Sequence, residues 1–184
     1  MDRKSARRGF TLIEMMIVLV VLAITVALGA PMMQTQLHQN RLLSESSRLL
    51  GAINLARSEA VMRNMPVSLC PSAMAATGEP KCSGTYSGGW IVFANANKDR
   101  VVDPGSDHVL QVFGALPLGY RLTNRAGKRE AFELINYLAD GSSHSNRTLM
   151  FCPPPGIPVQ ALGIIINIVG RVRLAAELGV CPAV

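Results

Sequence analysis

The sequence predicts an α+β protein, and three observations carry that expectation. Residues 10–30 form an apolar run broken by a single charged side chain, Glu14. Beyond it, Leu42, Leu49, Ile53, Ala56 and Ala60 recur at spacings of seven, four, three and four, the stripe of a helix with one buried face. After Pro66 the pattern changes to short extended runs separated by Gly, Pro, Asn and Asp, with no helical stretch between them. A long N-terminal helix packed on a mostly antiparallel sheet accommodates all three.

At about 1.5 Å per helical residue, the apolar run is long enough for a hydrocarbon core roughly 30 Å thick. Arg3, Lys4, Arg7 and Arg8 precede it against one acid, Asp2. That excess of positive charge keeps the N-terminus cytoplasmic and exports everything after residue 30. Glu14 is foreign to a plain anchor, because a carboxylate within an apolar helix costs about 2.5 to 3.5 kcal/mol on insertion scales when central, and less near the end, where Glu14 lies. Such residues usually have a partner. No nearby base on the same helix stands ready to answer it, since the basic residues lie before Gly9 and would be lost if the chain were cut there, so its partner is expected from another subunit.

Pro31, just after Gly29, is expected to kink or locally melt the helix, since proline lacks a donor and clashes with the preceding turn. The amphipathic continuation covers residues 31–65, with Arg41, Glu45, Arg48, Arg57, Glu59 and Arg63 on a solvated face. Pro66 should stop it and push Met65 towards extended geometry. The β-rich part spans residues 66–184, with strands expected at 67–70, 90–94, 109–113, 120–123, 132–137, 148–152, 164–168 and 171–175.

With 184 residues and 49% apolar content, the chain has room for the helix and one globular domain of about 120 residues. All four cysteines, Cys70, Cys82, Cys152 and Cys181, follow the membrane segment, where oxidation is permitted. Their spacing suits neither a zinc knuckle nor a redox pair, and three connectivities are open. Cys70 with Cys82 and Cys152 with Cys181 is the favoured set, because each bridge staples a loop or tail to the end of a strand. A catalytic constellation is missing: His38, His108 and His144 are scattered, and there is neither a Gly-rich phosphate loop nor a paired-His spacing. Asn95, Asn97, Asp99 and Asp103 partly match a calcium loop but lack its central Gly and final Glu, so they read as a polar hairpin loop. No cofactor or metal is expected.

Gly9-Phe10-Thr11-Leu12-Ile13-Glu14, after a short basic leader and before an apolar helix, closely resembles the signal of the type IV pilin and pseudopilin superfamily. The resemblance implies that a prepilin peptidase cuts between Gly9 and Phe10, removing residues 1–9, and N-methylates Phe10. It also implies that Glu14 meets the N-terminal amine of a neighbouring subunit. Losing the leader's four cations and one anion lowers the formal charge from +6 to +3, which permits nucleic acid as a partner and says no more.

Further along, Ala56-Arg57-Ser58-Glu59-Ala60, the run from Val67 to Ser72, Gly89-Trp90-Ile91-Val92-Phe93 and Gly170-Arg171-Val172-Arg173 are similar to the GspH/FimT group of minor pilins and pseudopilins. The resemblance implies a type IV pilin-like fold, a non-enzymatic role and assembly with other pilins in a filament. It places the chain first in the inner membrane, with its globular part periplasmic, and then in an extracellular pilus. The alternative is a pseudopilin in the periplasmic pseudopilus of a type II secretion system.

If residues 164–168 and 171–175 form a hairpin, strand alternation puts Arg171 and Arg173 on one face, about 7 Å apart, and Val172 and Leu174 on the other. Permanently charged planar forks suit phosphate oxygens and are blind to base sequence. FimT-like members carry a Gly-Arg-x-Arg motif that binds DNA during natural transformation, so the resemblance implies Arg171 and Arg173 as DNA contacts. Lys128, Arg129 and Arg147 are further scattered cations. An exposed strand at a sheet edge also carries Arg simply to discourage edge pairing.

Overall fold

A computed structural model describes residues 9–176 and Cys181; leader residues 1–8 lie outside the described part. The chain divides into two compact units, residues 1–37 and 38–184. One helix, α1 (Leu12–Arg63), contributes to both.

In the first unit the helix has a mean hydropathy of 2.7 over its most apolar eighteen residues, and none of that window is buried. Length and composition suit a membrane span. Local melting at Pro31, one of the two outcomes expected there, is corrected by the structure, which is helical throughout Leu12–Arg63. A proline removes one donor, and the hydrogen bonds of neighbouring turns carry the helix past it.

In the second unit α1 buries Leu42, Ser46, Leu49, Ile53, Ala56 and Ala60 along one face, together with Ala52. Ser46 is the polar member of this stripe, and it is satisfied by donating its hydroxyl to the Leu43 carbonyl at 2.9 Å. Burying each large aliphatic member contributes about 1.5 to 3 kcal/mol. The helix ends as expected before Pro66, but the stop is made by Asn64, at φ 52°. The amides of Asn64 and Met65 turn back to the carbonyls of Val61 and Ala60 at 3.3 and 3.2 Å. Asparagine tolerates this left-handed cap better than most side chains.

Eight strands follow: β1 (Val67–Pro71), β2 (Trp90–Ala94), β3 (His108–Phe113), β4 (Arg121–Asn124), β5 (Ile135–Tyr137), β6 (Arg147–Cys152), β7 (Leu162–Ile166) and β8 (Val172–Ala176). Two short helical turns, Met74–Thr77 and Tyr86–Gly88, interrupt the connection from β1 to β2. The strands pair antiparallel in two four-stranded sheets, ordered β3-β2-β1-β5 and β4-β6-β7-β8. The division arises because β5 returns to the free edge of β1, whereas β4 pairs with β6.

One main core joins α1 to both sheets through residues including Leu49, Ile53, Leu69, Trp90, Leu122, Tyr137, Phe151 and Ile164. A second, smaller cluster of Cys70, Ile91 and Phe93 packs on the other face of the first sheet. Both faces of β1 and β2 are therefore buried.

Five strands differ from their expected bounds by one residue, and two, β5 and β7, by more, for identifiable reasons. Phe132, Glu133 and Leu134 do not extend β5, because the Phe132 carbonyl accepts Arg100 and the Glu133 carbonyl accepts the buried Tyr86 hydroxyl. Strand β7 stops at Ile166, where Asn167 opens a turn to Gly170: the Gly170 amide donates to the Asn167 carbonyl at 2.8 Å, and the Asn167 amide to the Arg171 carbonyl at 2.9 Å.

Candidate functional site

At the start of α1, Thr11 lies just outside the first helical residue and its hydroxyl accepts the Glu14 amide at 3.3 Å. That is an N-terminal cap. The Thr-x-x-Glu spacing of a capping box marks it in the sequence, so this segment sets the start of the helix as well as its charge. Gly9, Phe10 and Glu14 are exposed, and no described residue pairs with the Glu14 carboxylate.

The β7–β8 hairpin bears out the alternation expected of its basic residues. Arg171 and Arg173 are exposed, whereas Val172 and Leu174 pack against the main core. Among the described residues neither guanidinium has an acidic partner. Strand β8 is the outermost of its sheet, and Arg173 stands opposite Ile165.

The turn before Arg171 is held from beneath by a residue that the sequence reading placed on a solvated face. Arg57 is half-buried and donates from Nε to the Gly141 carbonyl at 3.0 Å and from Nη2 to the Val169 carbonyl at 3.2 Å. The Tyr137 hydroxyl donates to the Gly170 carbonyl at 3.3 Å, and the Ser143 amide to the Ile168 carbonyl at 2.9 Å. Gly170 has φ +80°, and a Cβ there would lie 1.8 Å from the Gly141 carbonyl oxygen. The Ala56-to-Ala60 segment and the Gly-Arg-x-Arg segment thus meet through Arg57. Only the long-range fold brings them together, so spacing alone held no signal for it.

Arg48 departs from the solvated face in the same way. Its guanidinium lies 4.7 Å from the Trp90 ring, donates to the Gly114 carbonyl at 2.9 Å and pairs with Glu45 at 3.1 Å. The Glu59–Arg63 pair, at 2.6 Å, stays on the surface.

Burial pushes the Tyr137 hydroxyl up to about 12, with the Arg57 charge opposing the shift. Burial also raises Tyr86. Because the folded values lie above the ordinary one near 10, the stability these groups confer is complete below about pH 10 and lost as pH rises through the folded values. Thermal unfolding should therefore show a melting temperature that falls from about pH 10 to 12, and Tyr137→Phe should flatten part of that fall. An unchanged slope in the variant would contradict this assignment.

Cys70 pairs with Cys82 and Cys152 with Cys181, the favoured connectivity. In the β2–β3 loop the Asn97 amide donates to Asp99 and Asp103 at 2.9 Å each, and Asn95 Nδ2 donates to the Ser68 hydroxyl and the Asp99 carbonyl. The loop's polar groups are thus largely engaged with one another. Of the three histidines, His38 sits 2.7 Å from the Tyr120 hydroxyl, His108 lies in β3 and His144 is exposed.

A capped apolar helix, continuous with one that is buried against two antiparallel sheets, is the architecture of the type IV pilin-like class. A family model described as type II transport protein GspH matches residues 45–170, and one described as the prokaryotic N-terminal methylation motif matches residues 4–30. The chain belongs to the GspH/FimT family of type IV minor pilins and pseudopilins. It is 30% identical over 158 residues to the pilin-like protein PilA1 of Thermus thermophilus, covering 85% of this chain and 82% of that one. Its fold is similar to the crystal structure of the type IV minor pilin FimU of Pseudomonas aeruginosa. The TM-score is 0.55 at 19% identity, over 78% of this chain and 97% of FimU. A second crystal form of FimU gives 0.51 at 18% identity, over 76% and 99%. The GspH match ends at Gly170, one residue short of the Arg171 and Arg173 pair.

Proposed function

We propose that this chain is a minor type IV pilin, structural rather than catalytic, that enters a pilus and holds DNA through Arg171 and Arg173 during uptake. Its leader is cut after Gly9 by a prepilin peptidase, Phe10 is methylated, and Glu14 joins the chain to other pilins. Before assembly it spans the inner membrane once, with its N-terminus cytoplasmic and its globular part periplasmic. The observation that carries the DNA role is the pair of exposed guanidiniums without acidic partners among the described residues, at and just after a turn fixed by Arg57. A pseudopilin of a type II secretion system is the second reading, favoured by the description of the matching family model.

Two phosphate contacts contribute a salt slope of about 0.9 each on duplex DNA. Arg171→Gln with Arg173→Gln should therefore weaken duplex binding by the mature chain in nonionic detergent about tenfold, and flatten its salt dependence, in a fluorescence anisotropy titration. Unchanged affinity would remove the DNA role from this pair. Recovery of the protein from sheared pili, set against its recovery only in the periplasm, separates the two assemblies.

A further inference from the structure

A second concentration of positive charge lies at the opposite edge of the sheet from β8. After β4 the chain turns at residues 125–129, with the Gly127 amide donating to the Asn124 carbonyl, and returns beside β4, where Glu130 bridges Thr123. This turn carries Arg125, Lys128 and Arg129. It leads to Phe132, a ring that is 38% exposed.

Two guanidiniums stand over that one ring, Arg129 at 5.6 Å and Arg100, from the β2–β3 loop, at 5.7 Å from its centroid. Arg100 is further fixed by donating to the Phe132 carbonyl at 2.7 Å. The nearby acids are engaged elsewhere: Glu133 pairs with Arg147, and the Glu130 carboxylate accepts the Thr85 hydroxyl. Neither Arg100 nor Arg129 has a carboxylate partner among the described residues. Counting Arg100, Arg147 and residues 125–133, five cations face two acids. That excess of three equals the formal charge of the whole chain without its leader.

An aromatic face attracts a guanidinium and limits its freedom without neutralising it. Each fork held this way keeps donors for a phosphate oxygen at little further cost in side-chain freedom. From this we infer that Phe132, Arg100 and Arg129, with the cations of the 125–129 turn, form a second nucleic-acid contact that binds the phosphodiester backbone without reading sequence. The inference rests on the reading that this chain binds DNA, and it assigns a site separate from Arg171 and Arg173. Phe132 is a positioning residue here, acting through the two arginines.

The test is anisotropy of a labelled duplex of about 30 base pairs with the mature full-length chain in nonionic detergent, across a range of salt concentrations. Arg100→Gln with Arg129→Gln should weaken binding about tenfold and lower the salt slope by about 2, the value for two lost phosphate contacts. Phe132→Leu, which keeps an apolar side chain but removes the ring, should give a smaller loss. Circular dichroism melts matching those of the wild type establish that each variant is folded. Full affinity and an unchanged slope in the Arg100/Arg129 variant, alongside weakening in the Arg171/Arg173 variant, would overturn this site and leave the hairpin pair standing. The reverse pattern would support this site and dismiss the hairpin pair. Absence of duplex binding by the wild-type chain would overturn both. An unchanged DNA slope combined with loss of the variant from filaments would put an acidic neighbouring subunit on the patch and overturn the nucleic-acid assignment.

Discussion

Gly170→Ala should destabilise the globular unit by about 2 to 4 kcal/mol, combining left-handed backbone strain with overpacking. At φ +80° an L side chain is strained before any neighbour is considered. The added methyl would also stand 1.8 Å from the Gly141 carbonyl oxygen and 3.1 Å from Arg57 Nε. Neither group can yield cheaply. The Gly141 amide donates to Leu138, the Gly141 carbonyl accepts Arg57, and Arg57 also holds Val169. The turn itself must move, taking Arg171 with it. For a unit of this size the loss corresponds to a melting temperature lower by roughly 5 to 15 °C. A variant that melts with the wild type and keeps its affinity for DNA would show that the contact between these segments is unimportant. Arg57→Ala should have a smaller effect in the same direction, since it removes two hydrogen bonds without forcing a clash.

Glu14→Ala should leave membrane insertion intact and deplete the protein from filaments about 100-fold or more, the effect of breaking an ion pair worth some 3 to 5 kcal/mol when one partner is removed from an apolar setting. Cutting after Gly9 would leave Phe10 as a cationic terminus two residues ahead of the first helical residue. The end of a helix already carries a partial positive charge of about half a unit, so an ammonium there is doubly unfavourable until a carboxylate offsets it. The exposed Glu14 carboxylate, without a partner among the described residues, is available to a neighbouring copy or relative. The Thr11 cap survives the substitution, because its hydroxyl bonds the backbone amide of residue 14. The loss is therefore one of charge, and Glu14→Gln should reproduce most of it. Immunoblots of sheared filaments against the membrane fraction give the measurement, and wild-type recovery of either variant would remove the pairing role.

Much of this architecture was legible because it is local. Trp90–Ala94 is a strand residue for residue as expected, and alternation alone placed Val172 and Leu174 inward with Arg171 and Arg173 outward. The helical stripe was visible in its spacing, and the apolar run before it in its length. What was missed depends on contacts between distant segments. Arg57 and Arg48 look like ordinary surface cations until the Gly141 and Gly114 carbonyls arrive from more than sixty residues away. The split into two sheets depends on β5 choosing the edge of β1, a decision that no local pattern records. Phe132, Glu133 and Leu134 have strand-like character, yet side chains from other elements claim two of their carbonyls. Local melting at Pro31 does not occur, because one forfeited hydrogen bond does not end a long helix.

The bridge from Cys152 to Cys181 has a mechanical meaning for a strand at the margin of its sheet. Strand β8 is joined to its sheet along one side only, by its ladder to β7, and such a margin opens like a zip when pulled from its end. A covalent tie from the C-terminal segment to Cys152, two strands inward on β6, stops that unzipping from running freely. Tension applied to the C-terminal segment would then be shared with the interior of the sheet instead of peeling its rim.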